Sequence, residues 1–221
     1  MNTHRRIALT GGLLYLGTFA TSFTALALKT AYLEGSASAS TAAWGAVLEI
    51  LLAATCVVTA VVLYPVTRKV SETLALGFVM SRTIEAAMIL SGVLALMSVM
   101  TVRGADGTGG EALVALHDWA FLLGPAVMSA VNALLLGTIM LRGRLVPRII
   151  PTVGLIGAPL LLASSVGVLF GAWTQTSPVG LLTALPIAAW ELALGLWLTF
   201  KGFRTDAVLQ ATSTVDAVRA G

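Results

Sequence analysis

Six apolar stretches, each about 20 residues or longer, constrain this chain more than any other feature. They fall at about 7–28, 43–66, 74–101, 113–141, 149–171 and 180–201. The hydrocarbon core of a bilayer is about 30 Å thick and an α-helix rises about 1.5 Å per residue, so about 20 apolar residues make one crossing. No water reaches that core to satisfy a bare peptide group, and a helix satisfies its own. The spacing therefore predicts an all-α fold: a polytopic transmembrane bundle of six helices, in one domain over residues 1–204 with a short polar tail at 205–221. The third and fourth stretches have length to spare, which predicts tilt or ends beyond the hydrocarbon. The segments "KTAYLEGSASAST", "TRKVSE", "VRGADGTGGE", "RGRLVPR" and "TQTSP" read as loops, because Gly, Ser and Pro gather there.

Charge supports the same solvent. Only 10% of the residues are charged, against about 25% in soluble domains, whose surfaces must face water. The net charge of +3 does not point to nucleic acid, since the cations stand singly or in pairs between apolar runs. The lone cysteine, Cys56, rules out an internal disulfide and reads as a small packing residue. "HRR" before the first apolar run resembles the start of a secretory signal. At about 22 residues that run exceeds the 7–15 of a signal core, so the expectation is an uncleaved first span.

Orientation follows from the cations. With the N-terminus inside, Arg5, Arg6, Arg68, Lys69, Arg142, Arg144, Arg148, Lys201, Arg204 and Arg219 are cytoplasmic. Lys29 and Arg103 fall on the other side, and Arg82 lies within a span. This excess predicts cytoplasmic termini. Tyr32, Trp44, Trp119 and Trp173 then lie at the outer boundary, Tyr64 and Phe203 at the inner.

A weak internal repeat appears at an offset of 142 positions, where "RIALTGGLL" from Arg6 lies over "RIIPTVGLI" from Arg148 and Glu49 meets Glu191. It relates the first two spans to the last two as a parallel repeat, about an axis near the membrane normal.

The functional reading rests on ionisable groups inside the spans, each of which costs at least about 2.5–3.5 kcal/mol at mid-span. They are Glu49, Arg82, Glu85, His117, Asp118 and Glu191. Arg82 and Glu85 are neighbours on one helical face. Asp118, Pro125 and Asn132 recur at sevens on one side of the fourth span, with Ser129 nearby. Glu49 and Glu191 share faces with small residues, which let helices approach, so all these side chains are expected to point inward toward one cavity opening outward. Four acids against one arginine leave three negative charges in excess, to be balanced by a protonated carboxyl, a protonated His117 or a bound cation. The plainer reading makes Glu49–Arg82 or Arg82–Glu191 interhelical ties and Asp118 a helix cap.

Other chemistry is poorly supported. One histidine with scattered carboxylates lacks a metal-ligand spacing, and His4 lies outside the span and cannot face His117 across a haem, so neither metal nor cofactor is expected. With Lys29 in a loop, no lysine lies inside a span, which excludes a retinal Schiff base. No P-loop, dinucleotide fingerprint, "HExxH" or "GxSxG" occurs. Pro125, Pro159 and Pro186 lie inside spans and predict bends.

The blocks "RIALTGGLLYLGTF", "LALGFVMSRTIEAAMILSGV", "ALHDWAFLLGP", "RLVPRIIPTVGLIGAPLLL" and "AAWELALGLWLTFKGF" together resemble the bacterial six-span membrane proteins grouped as domain of unknown function 4386. The resemblance runs from about residue 5 to residue 204. It implies the architecture and a bacterial cytoplasmic membrane, and it supplies no substrate, cofactor or catalytic residue.

The expectation is a small-solute or proton-linked carrier or binding protein, with Glu49, Arg82, Glu85, His117, Asp118, Asn132 and Glu191 at its site. Its partners are the lipid bilayer and a small-molecule or lipid ligand. An intramembrane enzyme acting on a lipid or isoprenoid, with His117 and Asp118 as its acid–base pair, is the second reading. An accessory subunit of a larger membrane complex is the third.

Overall fold

The computed structural model describes residues 3–104 and 110–204. Its helices are α1 (Thr3–Leu33), α2 (Ala39–Thr67), α3 (Glu72–Gly104), α4 (Gly110–Phe121), α5 (Ser129–Arg142), α6 (Ile149–Leu169) and α7 (Pro178–Phe200). A π-helical segment, Leu122–Met128, joins α4 to α5, so the two form one rod. Six rods are thus long and apolar enough to cross a membrane, and no strand occurs among the described residues. The shortest, α6 with 21 residues, reaches about 30 Å at 1.5 Å per residue. The polar tail at 205–221 and residues 105–109 of the third loop lie outside the described residues.

The first loop is shorter than the sequence suggests. α1 continues through Lys29 to Leu33, and the turn that follows passes through Gly35, whose φ of +79° is the left-handed conformation that glycine adopts most readily. There Ser36 N–H donates to the Ala31 carbonyl (2.9 Å) and Gly35 N–H to that of Tyr32 (3.0 Å), so the last carbonyls of the helix are satisfied. The next helix begins at once, with the Ser38 hydroxyl accepting from Thr41 N–H. Ser177 caps α7 in the same way, ahead of Pro178.

The rods pack in a closed ring: α1 on α2, α2 on α3, α3 on the α4–α5 rod, α5 on α6, α6 on α7, and α7 back on α1. Two features close it. Gly12 lets α1 and α7 touch backbone to backbone, since a Cβ there would lie 2.5 Å from Thr199 N and 2.8 Å from the Gly195 carbonyl. The Arg5 guanidinium then donates to the Leu198 carbonyl (2.9 Å) and the Thr199 carbonyl (2.7 Å), carbonyls that α7 leaves open at its end.

Inside the ring, Leu63, Phe78, Leu136, Ile139 and Met140 are fully buried. Outside it, Met80, Leu94, Ile149 and Phe200 are each more than 60% exposed. An outer face as apolar as the core is what lipid, and not water, accepts. Pro125 gives a wider turn than a simple bend. Lacking an N–H, it interrupts the ordinary ladder, and the backbone passes through a π-helical turn in which Gly124 lies close against α3.

Candidate functional site

The seven side chains that the sequence singles out divide into two clusters with one residue outside both. The first centres on Arg82, which α3 places at the middle of the ring with 2% exposure. Its Nη1 donates to Glu85 Oε2 at 2.9 Å, one turn along the same face, and lies 3.4 Å from the Cys56 thiol on α2. Its Nη2 stands 3.6 Å from Glu191 Oε1 on α7. The rings of Tyr15 and Phe78 lie 5.1 and 5.7 Å from the guanidinium carbon, which favours the cation further. Arg82 Nε and Nη2 make no hydrogen bond.

The two carboxylates are not equivalent. Glu85 receives Arg82, the Asn132 amide at 2.7 Å and the Ser129 hydroxyl at 3.3 Å. Three donors from two rods make it a well-satisfied anion. Glu191 has Arg82 as its one partner among the described residues, beyond ordinary hydrogen-bond length, and its side chain is 19% exposed. That exposure opens into a cavity of about 240 Å³ at the centre of the ring. Arg82, Glu85 and Glu191 form its charged floor, with Thr18, Ser22, Ser129, Ser164 and Ser165 adding hydroxyls to largely apolar walls. Gln175 and Thr176, from the loop between α6 and α7, line it as well.

The second cluster overturns two expectations. Lys29 lies inside α1, 2% exposed, and forms a close ion pair with Glu49 on α2. Its Nζ stands 4.4 Å over the Phe121 ring. Glu49 is therefore tied to Lys29 and not to Arg82, and a lysine does lie inside a span. The physical reason is that an acid held in α2 provides the partner a lysine needs to stay out of water. The ground for excluding a retinal Schiff base, that no lysine lies inside a span, therefore does not hold.

His117 joins this cluster at 4% exposure, with Nδ1 3.1 Å from Asp118 Oδ1. Asp118 reaches back to that nitrogen from the outer side of the helix, its side chain 65% exposed. Adjacent positions on a helix do not share a face, so one of the two is buried and the other exposed. The residues Glu49, His117 and Asp118 consequently do not line the large cavity, while Arg82, Glu85 and Glu191 do, and Asn132 supports Glu85 from behind.

The count of buried charge changes with Lys29 included. Glu49, Glu85 and Glu191 stand against Lys29 and Arg82, an excess of one negative charge instead of three. A signal for Lys29 was present: it falls at the three- and four-residue spacing that also buries Ala25 and Tyr32 on α1. Nothing in the sequence distinguishes Tyr15 or Cys56, which border Arg82, from ordinary packing residues.

A ring of six apolar helices, each long enough to cross a bilayer, around a cavity with a charged floor defines a multi-pass membrane protein. Residues 10–202 match the family model described as Domain of unknown function (DUF4386), and the chain belongs to that family. No curated protein and no solved structure matches it.

Proposed function

We propose that this protein binds, and carries across its membrane, a small cationic solute with a largely apolar body, exchanging it for a proton at Glu191. The observation that carries this reading is the unequal sharing of one guanidinium between two acids. Glu85 is held by Arg82, Asn132 and Ser129, while Glu191 faces the cavity with no hydrogen bond of its own. Like charges in a low dielectric are not both left bare, so the uncompensated group takes a proton or a cation. The apolar walls suit an apolar body, and the volume of about 240 Å³ lies below the roughly 300–1,000 Å³ of pockets for drug-sized ligands. The solute is accordingly small.

The cation distribution supports an outward mouth in a bacterial cytoplasmic membrane. With Lys29 inside the bundle, Arg103 is left opposite the ten cations near the termini and the α2–α3 and α5–α6 loops. The α6–α7 loop, which adds Gln175 and Thr176 to the cavity lining, lies on the Arg103 side.

Titration calorimetry in lipid nanodiscs with a matched pair, phenethylamine and 3-phenylpropionate, tests the proposal. The amine is expected to bind and the acid not, with Glu191→Gln weakening the amine by at least about tenfold, or 1.4 kcal/mol. Equal binding of both probes, or unchanged binding in a folded Glu191→Gln protein, contradicts it.

A further inference from the structure

The Lys29–Glu49–His117 cluster is not used by the solute cavity, and it contains two buried polar atoms without partners. His117 Nε2 and Glu49 Oε2 make no hydrogen bond, although their residues are 4% and 5% exposed. Both residues line the same small space of about 10 Å³, with Met88, Ile89, Gly92 and Phe121 among the apolar residues around it. A polar space of roughly 10–15 Å³ is the size of one water, which needs two to four partners to be held. Nε2, Oε2 and the Lys29 ammonium are the groups positioned to supply them. Nδ1 of the same imidazole meets the Asp118 carboxylate at 3.1 Å, and that carboxylate is 65% exposed at the end of the bundle where Gln175 reaches the Asp118 carbonyl at 3.2 Å.

We infer that Lys29, Glu49 and His117 form a second site, separate from the solute cavity, which holds one water and through it takes up a proton by way of Asp118. A proton arriving on Asp118 passes to Nδ1, and the imidazolium so formed donates from Nε2 to the water, which faces Glu49 Oε2. Asp118 is ionised again, Glu49 stays paired with Lys29, and the proton rests on the imidazole. The same steps in reverse return it. Lys29 from α1, Glu49 from α2 and Asp118 from α4 are the charged groups that face His117. α3 presents Met88, Ile89 and Gly92, none of which titrates. Lys29 keeps its charge throughout, so uptake changes the cluster from neutral to singly positive.

Solid-state NMR of [15N]histidine-labelled protein in hydrated bilayers tests this, in a His4→Gln background where His117 is the remaining imidazole. The expected result is a water-proton cross-peak on Nε2, with nitrogen shifts that follow bulk pH between about 5 and 9. Asp118→Asn is expected to slow exchange with water by at least about tenfold. In the unsubstituted chain, the signal that changes with Asp118→Asn identifies the same ring. An Nε2 without a water cross-peak, or exchange unaltered by Asp118→Asn, overturns the site. Amine binding measured on the same bilayers separates the two proposals: binding without the cross-peak removes this site alone, and the cross-peak without binding removes the solute cavity alone.

Discussion

Lys29 and Glu49 sit on different helices, and neither is tolerable in a lipid-surrounded bundle without the other. Removing one partner of a buried pair costs about 3–5 kcal/mol, because an uncompensated charge is left behind, while replacing both with apolar groups is often neutral. Glu49→Leu should therefore lower stability by about that amount, and adding Lys29→Met should restore most of it. Unfolding followed by circular dichroism in mixed micelles measures both; additive losses would show that the pair does not act as a unit. At this scale the acids were legible in the sequence, since a carboxylate inside an apolar run always requires a partner. The partners were less so. Lys29 lies at the margin of its run, where a lysine ordinarily reaches out to the membrane surface, and only the continuation of α1 to Leu33 brings it inside.

Among the elements, ring closure depends on where a Cβ is missing. On α1, a Cβ at Gly12 would meet Thr199 N at 2.5 Å, whereas at Gly17 the nearest atom is the Thr55 methyl at 4.0 Å. Gly12→Ala should destabilise by about 1–3 kcal/mol through overpacking. Gly17→Ala should be neutral or gain up to about 1 kcal/mol, because alanine is the better helix former. The same unfolding measurement checks both, and an equal effect at the two glycines would contradict the α1–α7 contact. Helix existence follows from the length of each apolar run. The π-helical turn at Leu122–Met128 does not: proline predicts an interruption, and its form is settled by how closely Gly124 meets Met88 on α3, with a Cβ there only 2.8 Å from that side chain. That contact joins positions too far apart for local pattern to reveal.

For the whole molecule, lipid as solvent and six crossings follow from composition and run length, because no other arrangement hides so much apolar surface. Six inward charges at similar depths predict one shared cavity as well. Depth along a helix is readable from sequence, but rotation about the ring is not. Arg82, Glu85 and Glu191 face its centre, while Glu49 and His117 meet Lys29 across a wall that includes Ile89, Phe121 and Pro125. The division leaves Glu191 as the acid of the central floor without a hydrogen bond, and the proposed exchange of solute for a proton rests on it.

Proton release on solute binding tests that exchange most directly. Protein in weakly buffered nanodiscs near pH 7 is mixed with phenethylamine, and a pH-indicator dye follows the bulk solution. About one proton per bound amine is expected from the charge balance at the Arg82 floor, with none from 3-phenylpropionate and none from Glu191→Gln. Amine that binds at the cavity without releasing a proton would contradict the account.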